Sequence, residues 1–529
     1  MASIVEVLQK AQQLHVQGDL DKARQIYDAV LGKTKNEPYV LYSLGTLYSQ
    51  MGWNGTGMHL LMRAIDETPE KIEDPKTGDM VQPEWISQAW MNLGVCYKRE
   101  GHDEDAEKCY EKSLEYQPRQ VESLSNLSGL YINRGEPEKG LVWAERALEI
   151  EPSNAQAAHH KGMLLLEAER WEEGWKWHEN RTRILEYNPR NFAGSKWHGQ
   201  KVKHLVIHGE QGIGDEIMFS AWIPVIQSLG LASHITVECT PRLIPIFERS
   251  YGVECFATPD EIKSKYKVKH WISLASLPFV MGMRGNITHE GYIKPLLDRV
   301  QHWKDQFPGF RVGVSWRGGT KQTHDHLRNF PIEWWNPLFD GPNTMRFISL
   351  QYGSWESERQ KAGLLRADWE SFDDHLALVA ACDVVISVCN TTVHMAGATN
   401  TPCFTLVPHG AAWRYGTKSK RMIWYPSVRL YRQEKGGKWH DVIRRIKDDL
   451  SKLPKDESGN ALRETILRDV RKDVGEGGFN IMHPQEIQHD PGLRMREDDS
   501  IKRVAEAKSS DFGYRLRSSN TGQRPEEIL

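Results

Sequence analysis

HLVIHGEQGIGDEIMFSAWIPVIQSLG, residues 204–230, reads as an apolar run of strand character, a loop carrying Gly209, Gly212 and Gly214, and a helical stretch. A short β-rich run feeding a helix through such a loop is half of a parallel-sheet unit. HITVEC, PRLIPIFERS and VECFAT continue the rhythm as strand, helix and strand, and HWISLASLPFV supplies a further strand. A second series starts at RVGVSW (311–316) and runs through IEWWNPLF, MRFISLQ, FDDHLALVAAC, DVVISV, the helix NTTVHMAGAT and PCFTLVP. Two Rossmann-like, doubly wound domains are expected, over 200–300 and 305–445, with an irregular linker near 285–308. Adjacent sheets of this kind leave a cleft at the carboxyl ends of their strands, where ligands bind.

Upstream the pattern is helical and repeats. Gly18 and Gly52 stand 34 residues apart, as do Gly101 and Gly135, and the interval between the two pairs is one such period plus 15. Five residues after each comes a small residue (Ala23, Gly57, Ala106, Gly140), and four further on Tyr27, Leu61, Tyr110 or Ala144. LYSLGTLYSQMG, AWMNLGVCYKREG and SLSNLSGLYINRG hold Leu44, Leu93 and Leu127 in register. Pro69, Pro118 and Pro152 end the second helices, where a missing N–H and a fixed φ disfavour continuation. The polar insertion KIEDPKTGDMVQP accounts for the additional 15 residues. This pattern resembles the tetratricopeptide repeat, with a fifth, degenerate unit running through Trp171, Gly174 and Trp177 to about Arg183. An all-α solenoid over 1–185 is therefore expected, either as scaffold or as a concave face that docks a protein or peptide.

Composition narrows the function classes. The 529 residues carry 68 Lys+Arg against 71 Asp+Glu, a formal charge of −3, which gives no basic excess for a dedicated nucleic-acid binder. No apolar run is long enough to span a bilayer; LALVAACDVVISVC is interrupted by Asp383. The N-terminal stretch lacks the apolar core and cleavage site of a signal peptide. Seven cysteines, an odd number with no C-x-x-C, argue against zinc ribbons and disulfide frameworks and for a reducing cytoplasm. Beyond Trp439 the chain has no tryptophan; WHDVIRRIKDDL can make one closing helix, and 455–529 is expected to be a polar, partly disordered tail.

Three clusters can carry chemistry, each at the end of a strand. In GEQGIGDE, glycines allow close ligand approach, and the helix start offers free N–H groups. The segment is not the G-x-G-x-x-G fingerprint and no G-K-[ST] follows, so a nicotinamide enzyme and a P-loop ATPase are unsupported. Asp215 can act as a base on a hydroxyl, or simply cap the helix. In SVCNTTVHMAGATNTP, Asn390, Thr391 and Thr392 place oxygens beside exposed helix amides, which suits a diphosphate without a metal. His394 can donate to a phosphate or serve as a structural hydrogen-bonding group, and Gly397 permits close helix–sheet packing. In SWRGGTKQTHDHLRNFP, Arg317, Lys321 and Arg328 can form a cationic wall or a solvated basic loop. His324 and His326 have H-x-H spacing with no further ligands nearby in sequence, so a metal site is not expected. Trp413 and Arg414 can cover a base or sugar, or pack on one another.

Taken together, GWKWHENR, KWHGQ, GEQGIGDEIMFSAWIP, GVSWRGG, SLQYG and DVVISVCNTTVHMAGATNTPCFTLVPHGAAWRYG resemble bacterial and phage tetratricopeptide-repeat glycosyltransferases. Their catalytic part is similar to the heptosyltransferase family (glycosyltransferase family 9), with a GT-B fold. The resemblance covers roughly residues 5–445. It implies inverting, metal-independent transfer from a nucleotide-sugar donor to a glycan or protein acceptor. Asp215 would be the general base, with Gly212 and Gly214 in its loop. Arg317 and Lys321 would stabilise the leaving diphosphate, and Asn390, Thr391, Thr392 and His394 would form the donor-phosphate loop. One departure is Cys389, where many relatives carry an acidic residue five positions before the loop histidine. The first sheet domain is also short, so the acceptor pocket is expected to be reduced or shared with the repeats. Two alternatives remain: a non-catalytic repeat scaffold with a degenerate GT-B part, and a protein O-GlcNAc transferase-like enzyme.

Overall fold

The computed structural model describes residues 4–34, 37–73, 80–132, 134–184, 190–283, 291–320, 325–340 and 345–453. Lys321, His324 and the tail expected over 455–529 lie outside the described residues. The chain divides into two compact units: described residues 4–132 and 138–161 form one, and 134–137 with 162–453 form the other.

The first unit is built of antiparallel helices: Ile4–Val16, Leu20–Thr34, Pro38–Gln50, Asn54–Asp66, Ile86–Arg99, Asp103–Tyr116 and Val121–Tyr131, with parts of Pro137–Ile150 and Ala155–Glu167. Gly18, Gly52 and Gly101 turn the chain at φ of +81°, +83° and +84°, a left-handed conformation that costs glycine little. Small residues fall where helices touch. A Cβ on Gly45 would lie 2.8 Å from the Leu61 side chain, and one on Gly94 2.6 Å from the Tyr110 ring. The insertion carries a two-residue antiparallel pair, β1 (Ile72–Glu73) and β2 (Met80–Val81).

After residues 134–137 and the end of Ala155–Glu167, the second unit has the helix Trp171–His178 and the short turn Glu179–Arg183, then two sheets. The first consists of β3 (Ser195–Lys196), β4 (Val202–His208), β5 (Ala232–Glu238), β6 (Glu254–Phe256) and β7 (His270–Ser273), all parallel, in the order β3-β7-β4-β5-β6. The second contains β8 (Phe310–Ser315), β9 (Met345–Ser349), β10 (Val384–Val388), β11 (Cys403–Val407), β12 (Arg421–Met422) and β13 (Tyr425–Arg432). Its order is β12-β13-β11-β10-β8-β9, and within it β12 alone runs antiparallel. In each sheet the chain steps outward on one side and then returns to the other side of its starting strand, β7 beside β4 and β10 beside β8. These reversals open a crevice beyond the strand ends.

Several local expectations change. The helical stretch after the glycine loop is two helices, Ile213–Phe219 and Trp222–Ser228. Pro224 has no N–H to offer the Ser220 carbonyl, so the helix breaks there. The linker is not wholly irregular, because Leu297–Gln306 is helical. HWISLASLPFV keeps its strand only to Ser273 and then turns through Leu274–Ser276 into the helix Leu277–Val280. The closing helix spans Trp439–Ser451 and buries Trp439, Val442, Ile443, Ile446 and Leu450 on one face, at helical spacing.

Ion pairs, half-buried or buried, tie this unit together. Two fork-to-fork pairs join the first half to the helix Phe372–Ala381. Arg249 donates to Asp373 at 2.8 and 2.5 Å, and Arg299 donates to Asp374 through two contacts of 2.8 Å. At the start of the unit, Arg181 is 3% exposed and donates to Glu210 at 2.5 Å, Glu179 at 2.7 Å and Ser276 at 2.9 Å. Glu210 stands just past β4, so this pair attaches the turn after the last repeat helix to the glycine loop. Arg181→Met leaves the Glu210 carboxylate buried without its cation. Scanning calorimetry is expected to show the α/β unit destabilised by about 3–5 kcal/mol, with most of the loss recovered in the Arg181→Met, Glu210→Leu double variant.

Candidate functional site

The glycine loop after β4 is shaped by what packs beneath it. A Cβ on Gly209 would lie 2.8 Å from the Glu216 carboxyl, and Gln211 adopts φ +65°. Gly212 is the N-cap of Ile213–Phe219, which places Asp215 third in the helix rather than at the cap. Its Oδ2 accepts the Gly212 N–H at 3.4 Å, answering one of the amides a helix start leaves unpaired. Its Oδ1 accepts from Arg414 Nη2 at 2.5 Å. Asp215 and Arg414 are 14% and 21% exposed, so solvent screens the pair only weakly. Arg414 stands in the turn Trp413–Tyr415 after β11, and the pair therefore joins the strand ends of the two sheets. The guanidinium also lies 5.5 Å from the Trp413 ring centroid, so the packing reading of Trp413 and Arg414 holds alongside the ion pair.

Across from Asp215 lies the helix Thr391–Ala398, which follows β10. Asn390 caps it. Its Oδ1 accepts the Thr392 N–H at 2.9 Å, while its Nδ2 donates to Ser315 Oγ at 2.8 Å and the Arg317 carbonyl at 2.9 Å. The side chain thus fastens the loop after β10 to the loop after β8, and Gly318 makes room for it. Thr392 is buried with its hydroxyl 3.4 Å from Ser315 Oγ, whereas Thr391 is only half-buried. His394, one turn on, is buried with Nδ1 3.0 Å from Tyr425 Oη. Burial, and after it the charge of Arg414, push its pKa down to about 3, so the ring is neutral. A Cβ on Gly214 would lie 3.0 Å from that ring, which marks where the helices from the two sheets meet.

Tyr425 underlies this contact. A Cβ on Gly397 would fall 2.1 Å from its ring, so the close packing expected at Gly397 is packing onto Tyr425. The Tyr292 hydroxyl lies 3.4 Å from that of Tyr425 and donates to the Ile217 carbonyl at 3.0 Å. The chain between the sheets is thereby pinned to both helices of the site. Neither tyrosine has a motif of its own; Gly397 is a sequence trace of Tyr425 alone.

The basic loop is occupied differently from the expected wall. Arg317 Nε donates to Glu358 Oε2 at 2.8 Å, Nη2 makes a second contact with the same carboxylate, and the guanidinium lies 4.5 Å from the Trp355 ring centroid. Arg328 donates to the Cys389 carbonyl at 2.6 Å. The structure thus brings Asp215, Gly212, Gly214, Asn390, Thr391, Thr392 and His394 to one place, with Arg317 joined to them through the Asn390 bridge. Cys389 is buried, and burial pushes its thiol up to about 11 despite the opposing charges of Arg328, Arg432 and Arg414. Among the described residues, no group of three or more His, Cys, Asp or Glu side chains is gathered as a metal ion would need. No helix among them is long and apolar enough to cross a membrane.

The fold and the repeats define a class: tetratricopeptide repeats followed by parallel-sheet α/β domains. A tetratricopeptide-repeat model matches residues 87–120. The chain is similar to Protein FlbA of Caulobacter vibrioides, 31% identical over 291 residues, which are 48% of this chain and 47% of that protein. It thus spans about half the length of the curated relative it matches. Among solved structures, MamA is similar at 17% identity and a TM-score of 0.27, over 33% of this chain and 92% of that one. YrrB, a TPR protein with an unusual peptide-binding site, is similar at 15% identity and a TM-score of 0.27, over 35% and 87%.

Glu216, next to Asp215, is a feature no motif announces. It is buried, and its carboxyl accepts the Thr240 N–H and hydroxyl, each at 2.9 Å. Burial is the largest influence on it and, despite those bonds, its pKa is pushed up to about 7. A carboxyl raised in the folded state adds stability below its unfolded pKa of about 4.3 and loses that contribution as pH rises through about 7. Glu216→Gln keeps an acceptor for Thr240 and removes the proton. Its Tm is expected to match that of the unsubstituted chain near pH 5 and exceed it by several degrees at pH 8. A difference that does not change with pH would contradict the assignment.

Proposed function

We propose that the chain is a glycosyltransferase on a GT-B-type pair of sheets, moving a sugar from a nucleotide-sugar donor to an acceptor hydroxyl with inversion and without a metal. The observation that carries this reading is the approach of the Asp215 loop to the Thr391–His394 helix start at Gly214, between the strand ends of two sheets. In the reaction, the acceptor oxygen attacks the anomeric carbon and its proton passes to the Asp215 carboxylate. The bond from that carbon to the diphosphate breaks, and the nucleoside diphosphate leaves with the electron pair. The first-turn amides of Thr391–Ala398 and the Thr391 hydroxyl stabilise the departing charge. Asn390 and Thr392 support that helix start from below, and neutral His394 serves as a hydrogen-bonding group.

The Arg414 pair adds a condition. The Asp215 oxygen that accepts from Arg414 at 2.5 Å is not open to an acceptor hydroxyl, so Arg414 must move from Asp215 when the reaction runs. The donor diphosphate is a competing anion of the right charge to draw it away. The repeats dock the protein or glycan acceptor, and a cytoplasmic location goes with this reading. A non-catalytic scaffold is the second reading, favoured by Cys389 in place of a carboxylate and by the commitment of Arg317 to Glu358.

A thermal-shift series with GDP, UDP, ADP, CMP and TDP, with and without EDTA, separates the two. One nucleoside diphosphate is expected to raise the Tm regardless of EDTA, and Thr391→Val and Arg414→Met are each expected to reduce that shift. No shift with any of the five at millimolar concentration would overturn the transferase reading and leave the repeats as the working part.

A further inference from the structure

Glu169 lies in the turn just before the helix Trp171–His178, within the α/β unit. It holds φ at +64°, uncommon for a residue with a side chain. Its Oε1 accepts three consecutive backbone amides: Thr417 at 3.2 Å, Lys418 at 3.0 Å and Ser419 at 3.4 Å. Successive N–H groups converging in this way form an anion-binding nest, and here the chain fills the nest with its own carboxylate. Gly416 permits the approach: its φ is +60°, and a Cβ there would lie 2.6 Å from Glu169 Oε1.

The carbonyls of the same loop are taken from the other side. Arg432, at the end of β13, donates to Tyr415 at 2.5 Å, to Gly416 at 2.9 Å and to Ser419 at 2.9 Å. Arg414 directly precedes this doubly held segment. Trp413, on its other flank, is buried against Trp175 of Trp171–His178 at 5.4 Å between ring centroids and stacks on Phe219 at 6.4 Å. Arg414 is therefore suspended between two anchors, and the stretch from Glu169 to Trp175 touches both.

We infer that Glu169 is a positioning residue for the candidate site: by holding the amides of residues 417–419 it sets where Arg414 meets Asp215. The turn between the helices Ala155–Glu167 and Trp171–His178 thereby controls whether the Asp215 carboxylate is engaged. The catalytic consequence rests on the transferase reading; the mechanical coupling does not.

Hydrogen–deuterium exchange of the full chain, followed by mass spectrometry without nucleotide, tests the coupling alone. In Glu169→Ala, exchange is expected to accelerate roughly tenfold in peptides covering 417–419 and also in those covering 212–219, while Trp439–Ser451 stays unchanged. Glu169→Gln, which retains the accepting oxygen, is expected to restore protection at both places. Arg414→Met is expected to loosen 212–219 and leave 417–419 protected. Acceleration at 417–419 with none at 212–219 would overturn the inference, as would no acceleration at 417–419. Should Glu169→Ala fail to fold, Glu169→Asp, one methylene short of the nest, carries the same comparison with smaller changes. A positive exchange result together with no nucleotide shift would keep the coupling and discard the transferase reading.

Discussion

The ion pair between Asp215 and Arg414 is the contact on which the rest of the site depends. It joins a side chain from the first sheet's glycine loop to a charged partner from the second sheet's loops, and at 2.5 Å it is a charge-assisted hydrogen bond. Because both groups are largely out of water, neither can be left alone without a substantial desolvation cost. The pair thus fixes the facing of two strand-end loops that the sheets themselves only bring near one another.

The surroundings make that pairing possible. Trp175, Phe219, Trp413 and Trp424 form a mutual cluster with ring centroids 5.4–6.4 Å apart, contributed by the helix Trp171–His178, the glycine-loop helix and the loops of the second sheet. Aromatic rings of this size bury much apolar area and prefer edge-on or offset contacts, so they hold three chain segments in register without polar partners. Below them, Tyr425 and Tyr292 link the Thr391–Ala398 helix to the Ile213–Phe219 helix through hydroxyls. The polar contacts at the strand ends are thus built on a rigid apolar base.

Much of this was legible in the residues. Left-handed turns at Gly18, Gly52 and Gly101 follow from a spacing that needs no structure to see. The glycine loop and the Asn390 cap follow from strand-to-helix transitions with the right residue types. Partners distant in sequence were not legible. Arg317 sits in a basic loop, but the Glu358 that claims it is 41 residues away, and nothing local predicts the pairing. In the sequence alone, Asp215 reads equally as a base or a cap. It is not the N-cap, but its Oδ2 accepts the N–H of the N-cap Gly212, while its Oδ1 is held by a residue 199 positions on. Glu169 and Glu216 are ordinary surface-type residues in composition, and only tertiary packing makes one a loop anchor and the other a buried acid.

The central claim is that Asp215 and Arg414 are energetically coupled across the two sheets. A double-mutant cycle with Asp215→Asn, Arg414→Met and the pair together, read from urea unfolding followed by tryptophan fluorescence, measures that coupling directly. The account predicts that the double variant is more stable than the sum of the single losses implies, by about 1–3 kcal/mol. Losses that simply add, within about 0.5 kcal/mol, would contradict it.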